Sequence, residues 1–309
     1  MNTRSKILVL GHNGLVGSAL VRRLLRFEYE NVVTWPRTEV DLCDPTQVTW
    51  AFSVFRPEYV FLAAARVGGI RAHLMDHATM LLDNLKIQNN VIMSAFELGV
   101  KKLLFLGSSC IYPEHAEIPT RESQLLTGAL QPANEGYALA KIAGLKLCEY
   151  LRRERGFNAV SAMPCNLYGP GDNFDPQAAH VIPGMIARMH RAKIENAPSF
   201  CVWGDEKVER EFLYSEDLAD ALIQIMLHYE SSEPINVGSG KSTDMKTLAT
   251  LIAFQLGYTG ELLFSRQEHG TRKKLMDVSK ILDMGWSPDT SLDYGVRRTY
   301  KDFLTARRK

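Results

Sequence analysis

Apolar residues fall along the chain in two alternating textures. Short aliphatic or β-branched runs stand at 6–10 (KILVL), 31–34, 59–63 (YVFLA), 102–106 (KLLFL) and 159–162. Between them, segments 15–27, 45–55, 78–98 and 135–155 carry apolar residues at helical spacing. Strand-length runs separated by helices of this size predict βαβ units, and so an α/β fold with a doubly wound parallel sheet covered by helices on both faces. After Pro170 the texture changes. Gly169-Pro170-Gly171 marks a turn; strand-like runs follow at 199–203 and 235–237, and helical patterns at 217–229 and 245–256. The change predicts a first domain over 1–168, to which the chain returns around 212–230, and a smaller mixed α/β domain over 169–309.

Composition narrows the classes of function. The chain has 309 residues, of which 46% are hydrophobic and 23% charged, an ordinary globular composition. Thirty-six Lys+Arg against 35 Asp+Glu leave a formal charge of +1, too little to draw the chain to nucleic acid or anionic lipid. The basic ending Arg307-Arg308-Lys309 is short enough to be a solvated tail. The longest run without charge, 156–171, contains Pro164, Pro170 and three glycines, whereas a spanning helix needs roughly 20 predominantly apolar residues. No apolar signal-peptide core precedes the strand-like run at Lys6. The five cysteines, Cys43, Cys110, Cys148, Cys165 and Cys201, form no CxxC pair. The expectation is a cytoplasmic protein with reduced thiols, without a metal site and without a disulfide framework.

Two spacings carry chemistry. Gly11, Gly14 and Gly17 follow the first strand and open the first helix, as a dinucleotide-binding turn requires: a tight turn, close backbone approach to a pyrophosphate, and a helix N-terminus aimed at it. That makes the first domain Rossmann-type. About 20 residues on, where a carboxylate would favour NAD, the chain reads Pro36-Arg37-Thr38; Arg37 suits a 2′-phosphate and points to NADP(H). Asp41, in Asp41-Leu42-Cys43-Asp44, either meets the adenine amino group or caps the next helix. Further on, Tyr137 and Lys141 lie four apart on one helix face, where an ammonium would lower the phenol pKa from about 10 and make it a usable acid or base at a carbonyl. Ser108 leaves the end of an earlier strand and can hydrogen-bond the same carbonyl oxygen.

A glycine turn, a serine after a later strand and YxxxK, in that order, resemble the short-chain dehydrogenase/reductases. The stretches LAAARVGGI (62–70), KLLFLGSSCIYP (102–113), YALAKIAGLKLCE (137–149), NLYGPGDNF (166–174), HVIP (180–183) and REFLYSEDLA (210–219) resemble the GDP-L-fucose synthase family of extended reductases almost end to end. Members epimerise GDP-4-keto-6-deoxy-D-mannose at C3 and C5 and reduce it at C4 with NADPH in one site. The resemblance implies that Tyr137 protonates the C4 oxygen, Lys141 holds the cofactor ribose, Ser108 orients the C4 oxygen, and Cys110 with His180 is the acid/base pair of epimerisation. A thiol titrating near 8.5 and an imidazole near 6.5 suit proton exchange beside a 4-ketone.

The resemblance also implies NADP(H) contacts at Gly11, Asn13, Gly14, Leu15, Val16, Gly17, Arg37, Asp41, Leu42, Leu106, Gly107, Ser108, Ser109, Tyr137, Lys141, Pro164, Asn166, Leu167 and His180. The GDP-sugar contacts it implies are Ser109, Cys110, Asn166, Arg188, Trp203, Arg210 and Asp277. Extended reductases of this group pair through long helices such as 78–98 and 135–155, so a homodimer is expected. The chain departs from the family at Asn13, where an arginine is frequent, at Gly136, where a proline is common, and at Cys165, in place of a threonine. Two other readings share these motifs or this fold: a related keto-sugar reductase, of the colitose type or acting on a GDP-heptose, and a dinucleotide-sensing protein without turnover. The second would be expected to have lost the tyrosine, lysine or serine, all of which are present.

Overall fold

The structure, a computed structural model, describes residues 1–68, 76–175, 178–265 and 271–306. Gly69 and Ile70 of the LAAARVGGI stretch and the basic tail Arg307, Arg308 and Lys309 lie outside the described residues. The first half alternates as its apolar pattern predicts. Ile7–Leu10 (β1) leads into Leu15–Arg26 (α1), Val32–Val33 (β2) into Pro45–Phe55 (α2), and Tyr59–Leu62 (β3) precedes His77–Glu97 (α3). Lys102–Leu106 (β4), Glu135–Arg155 (α4) and Ala159–Pro164 (β5) complete the series. Local chemistry sets several ends. Asp44 caps α2 by accepting from the Thr46 and Gln47 N–H groups, with Pro45 in its first turn. Gly156 ends α4 at φ +68°, a left-handed stop that glycine takes without steric cost.

Past β5 the elements are shorter: Asn166–Tyr168 (β6), Val181–Ile194 (α5), Ser199–Val202 (β7), Glu209–Tyr214 (β8) and Ser215–His228 (α6). Then come Ile235–Val237 (β9), Ser242–Asp244 (β10), Met245–Leu256 (α7), Glu261–Phe264 (β11), Lys273–Lys274 (β12), Ser279–Asp283 (α8) and Leu292–Ala306 (α9).

Six strands form one parallel sheet in the order β2-β1-β3-β4-β5-β9. Helices α1 and α6 pack together on one face, joined by the Arg22–Glu216 and Arg23–Asp220 ion pairs. On the other, α3 packs between α2 and α4. The doubly wound, Rossmann-type expectation holds. Its core strands are buried end to end, Ile7, Leu8, Val9 and Leu10 of β1 completely, as a sheet covered on both faces demands. The order reverses between β1 and β3, the switch point where such sheets leave a crevice at their carboxyl ends.

A second apolar cluster gathers Ile182, Met185 and Met189 of α5 with Phe212 and Tyr214 of β8, Leu248 and Ile252 of α7, and Val296 and Phe303 of α9. Beside it, β6, β10 and β12 pair with β8, and β11 pairs with β7. Leu213 of β8 and Leu218, Leu222 and Ile225 of α6 belong to the first core, while Phe212 and Tyr214, which flank Leu213, belong to the second. The chain crosses back a second time at Met276, Val278, Ile281 and Trp286, which the apolar pattern does not announce. Among the described residues, no helix is long and apolar enough to cross a membrane.

Candidate active site

The site lies at the carboxyl ends of β1, β3, β4 and β5. Gly11 leaves β1 at φ +87°, and a Cβ on it would stand 2.7 Å from the Ala64 nitrogen just past β3. A Cβ on Gly17 would stand 2.1 Å from the Gly11 carbonyl oxygen, so only glycine lets α1 pack against the turn. Gly14 caps α1 with no side-chain acceptor and no acidic residue follows in the first turn, which leaves the N–H groups of that turn for an anion. Asn13 and Gly14 are exposed beside Leu15, while Val16 is buried. This cradle fits the pyrophosphate of a dinucleotide. Arg37 projects, exposed, from the loop after β2, close enough to Cys43 to act on its thiol. Asp41 does not cap α2, the role Asp44 takes. Its Oδ1 accepts from the Cys43 N–H at 3.0 Å, and Leu42 packs on the core.

At the end of β4, Leu106 and Gly107 lead into a short 3₁₀ turn, Ser109–Ile111, which Ser108 caps by accepting from the Cys110 N–H at 3.2 Å. Tyr137, in the first turn of α4, hydrogen-bonds the Ser108 side chain. A Cβ at Gly136 would meet the His77 carbonyl oxygen at 2.6 Å, so the glycine beside the tyrosine lets α4 close on the start of α3. Lys141 lies one helical turn on. Its Nζ donates to the Leu106 carbonyl at 2.8 Å and sits 4.8 Å from the Phe105 ring centroid and 5.8 Å from that of Tyr137.

The electrostatics correct the sequence reading. Lysine was expected to lower the phenol pKa, yet Tyr137 is pushed well above its ordinary value, first by burial and then by the Cys110 thiol, against the Ser108 hydrogen bond. Burial also pushes Lys141 down to about 7. An ammonium that has lost its proton near neutrality cannot stabilise a phenolate forming at higher pH. Tyr137 is therefore a protonated phenol throughout the neutral range, a state suited to giving a proton.

Next to the 3₁₀ turn a cavity is lined by Ser109, Glu114, Asn166, Glu211, Lys273 and Lys274 among others; Ser108, Cys110, Tyr137 and Lys141 are not part of that lining. Cys110, in that 3₁₀ turn, is half-buried. His180 precedes α5 as its cap residue without a capping hydrogen bond. The residue is exposed, yet the protein around the ring partly desolvates it and lowers the imidazole pKa. Pro164 ends β5; Cys165 is buried with its thiol pushed up by burial; Asn166 Nδ2 donates to the Glu211 carbonyl at 2.9 Å; Leu167 pairs with Leu213.

Sequence reasoning missed Glu211 and Lys274. Glu211 is only 1% exposed and accepts from the backbone N–H groups of Met276 at 2.9 Å and Gly240 at 2.7 Å, while burial raises its pKa. It ties β8 to the segment carrying Lys274. In sequence it is one acid within Glu209-Arg210-Glu211, a spacing that reads as surface.

The outer residues divide. Arg188 on α5 donates to the Cys201 carbonyl at 3.1 Å and lies 3.7 Å from the Trp203 ring centroid, and burial lowers its pKa. One face of Trp203 thus carries a cation, while the residue remains 64% exposed. Arg210 donates to the Glu209 carbonyl at 2.8 Å and pairs across the strands with Lys274. Asp277 is engaged elsewhere: it accepts from Ser279 N–H at 3.0 Å and forms an ion pair with Arg121 at 3.4 Å, so the structure does not bring it to the cavity lined by Asn166 and Lys274. No metal-binding cluster occurs among the described residues.

Residues 7–238 match the NAD dependent epimerase/dehydratase family. The chain is 48% identical to GDP-L-fucose synthase 1 of Arabidopsis thaliana over 97% of this chain and 93% of that protein. It is similar in structure to a GDP-6-OMe-4-keto-L-xylo-heptose reductase from C. jejuni, at a TM-score of 0.93 and 33% identity over 99% of each chain. It is similar also to a GDP-L-fucose synthetase from Naegleria fowleri bound to NADP, at a TM-score of 0.91 and 28% identity over 100% of this chain and 97% of that one.

Proposed function

The chain belongs to the NAD dependent epimerase/dehydratase family, and on that premise we propose that it converts GDP-4-keto-6-deoxy-D-mannose to GDP-L-fucose, epimerising C3 and C5 and reducing C4. It is an NADP-dependent oxidoreductase with epimerase activity. The observation that carries this reading is the convergence at the end of β4 of a protonated phenol, the Ser108 hydroxyl and the Cys110 thiol, beside a glycine cradle for a dinucleotide.

NADP(H), when bound, supplies the hydride. The first-turn N–H groups of α1 would hold its pyrophosphate and Arg37 its 2′-phosphate, Asp41 and Leu42 would serve its adenine end, and Leu106, Gly107, Pro164, Asn166 and Leu167 its nicotinamide end. Tyr137 gives its proton to the C4 oxygen, which Ser108 orients, and Lys141 steadies the cofactor ribose. Before reduction, the 4-ketone acidifies the hydrogens at C3 and C5. Cys110 and His180 then remove and return protons on opposite faces of the sugar. Ser109 and Asn166 hold the sugar, Arg188 and Arg210 the diphosphate, and Trp203 offers its open ring face to the base.

In this reading the six-stranded sheet and its core hold the cofactor and the second cluster holds the GDP-sugar. Exposed Leu82 on α3 and Leu139 and Tyr150 on α4 mark the face by which two copies pair. Light scattering should give near twice the 34.8 kDa chain mass, and a monomer at micromolar concentration would remove the dimer. Free thiols, including exposed Cys201, suit a reducing, cytoplasmic setting. Colitose-type and heptose-type reductases share the reduction chemistry, but 48% identity to the plant synthase against 33% to the heptose reductase favours the synthase. Incubation with GDP-4-keto-6-deoxy-D-mannose and NADPH, with the product identified by NMR, tests the assignment; a C4-reduced sugar with C3 and C5 unchanged would overturn it.

A further inference from the structure

The mechanism above makes no use of Glu114, which follows the 3₁₀ turn that carries Ser109. Its backbone is pinned on two sides: the Glu114 N–H donates to the Ala129 carbonyl at 2.9 Å, and the Glu114 carbonyl accepts from Thr271 Oγ1 at 3.1 Å. Glu114 is half-buried and lines the same cavity as Ser109 and Asn166. Most polar side chains of that lining are already satisfied from within the protein. Tyr112 Oη donates to Asn236 Oδ1 at 2.5 Å, Asn166 Nδ2 to the Glu211 carbonyl at 2.9 Å, and Lys274 Nζ to Gln131 Oε1 at 2.9 Å. Lys273 pairs with Glu209 at 2.8 Å, and the Glu211 carboxylate is held by the Met276 and Gly240 N–H groups. Ser109 and Glu114 differ. Neither side chain has a hydrogen bond or an ion pair among the described residues. The lining thus keeps one unmet hydroxyl donor and one unmet carboxylate acceptor, both on the loop that leaves β4.

We infer that Ser109 and Glu114 together read the C3 hydroxyl of the sugar, and that Glu114 is thereby a specificity residue for a substrate oxygenated at C3. A hydroxyl is the group that answers both, since it accepts one hydrogen bond and donates another. Ser109 donates to it, and the Glu114 carboxylate accepts from it. The choice of C3 rests on the proposed function. There Ser108 orients the C4 oxygen, so Ser109, next along the turn, serves a substituent on a neighbouring ring carbon. C4 of that substrate is flanked by C3, which carries a hydroxyl, and C5, which carries a methyl. A carboxylate gains nothing from a methyl, whereas a hydroxyl gives it a charge-assisted hydrogen bond. The same contact separates two activities that share these motifs. Colitose is a 3,6-dideoxy sugar, so its precursor has no oxygen at C3. Against that carbon the carboxylate would lose water and receive no hydrogen bond in return.

The test compares GDP-4-keto-6-deoxy-D-mannose with its 3-deoxy analogue as substrates of the full-length protein, each by kcat/KM from NADPH oxidation at saturating NADPH. The unaltered protein should favour the 3-hydroxy sugar. Glu114→Ala should shrink that preference about 10- to 100-fold, the worth of a hydrogen bond to a charged group, through a lower kcat/KM for the 3-hydroxy sugar alone. The ratio of two substrates in one preparation is indifferent to the fraction of protein that is folded, so a structural defect would lower both values together. Such an equal fall, or an unchanged ratio, overturns the role of Glu114 and leaves the proposed substrate standing. Use of the 3-deoxy sugar alone by the unaltered protein would overturn the proposed function and the inference with it, so the two failures are distinguishable.

Discussion

Lys141→Met should make the ligand-free protein more stable at neutral and acid pH, although it removes a residue assigned to the active site. Lys141 is 3% exposed, and burial brings its pKa from 10.5 to about 7. The folded protein therefore binds fewer protons than the unfolded chain between those two values. Stability contributed through Lys141 rises with pH across that window, and the destabilisation is complete below about pH 7. The full span corresponds to about 5 kcal/mol, a net figure that already contains the contacts of the ammonium with the Leu106 carbonyl and the Phe105 ring face. Urea unfolding from pH 6 to 10, without cofactor, reads the difference between the two proteins, in which other titrating groups cancel. The stability advantage of Lys141→Met should be about 4 kcal/mol larger at pH 6.5 than at pH 10. A difference that stays flat across this range would refute the claim that the fold holds this lysine against its own charge.

Tyr137→Phe keeps the ring and removes the proton donor, so hydride transfer should fall by about 10²–10⁴ while solvent deuterium still enters C3 or C5 of the keto-sugar. Cys110→Ser should do the reverse, with exchange collapsing, and NMR on both variants checks the pair. Arg37→Ala should raise the KM for NADPH and leave NADH use nearly unchanged in steady-state assays; a better KM for NADH in the unaltered protein would contradict the role of that loop.

Much of the sheet and the cofactor turn was legible because their information is local. Gly11, Gly14 and Gly17 serve a single turn, and Tyr137 and Lys141 share one helix face through spacing alone. The sign of the Tyr137 shift was not legible, because it depends on how completely the sheet and α4 bury the pair. Lys274 and Glu211 were missed for a related reason. They reach the cavity beside Asn166 only through pairing of β6 and β12 with β8, and strands of three and two residues are too short to show a period. Asp277 followed its motif in sequence, but its carboxylate is engaged by Ser279 and Arg121. The glycine at 136 stands out as a departure in sequence and becomes intelligible once the His77 carbonyl is seen where a Cβ would lie.

The most direct test of the central claim is a single reaction in deuterium oxide, containing the unaltered protein, GDP-4-keto-6-deoxy-D-mannose and NADPH, followed by proton NMR. Inversion and reduction in one site should yield GDP-L-fucose bearing deuterium at both C3 and C5, with NADPH oxidised in proportion to product. A C4-reduced sugar that keeps its original configuration and protium at both carbons would contradict the account and leave a simple keto-sugar reductase in its place.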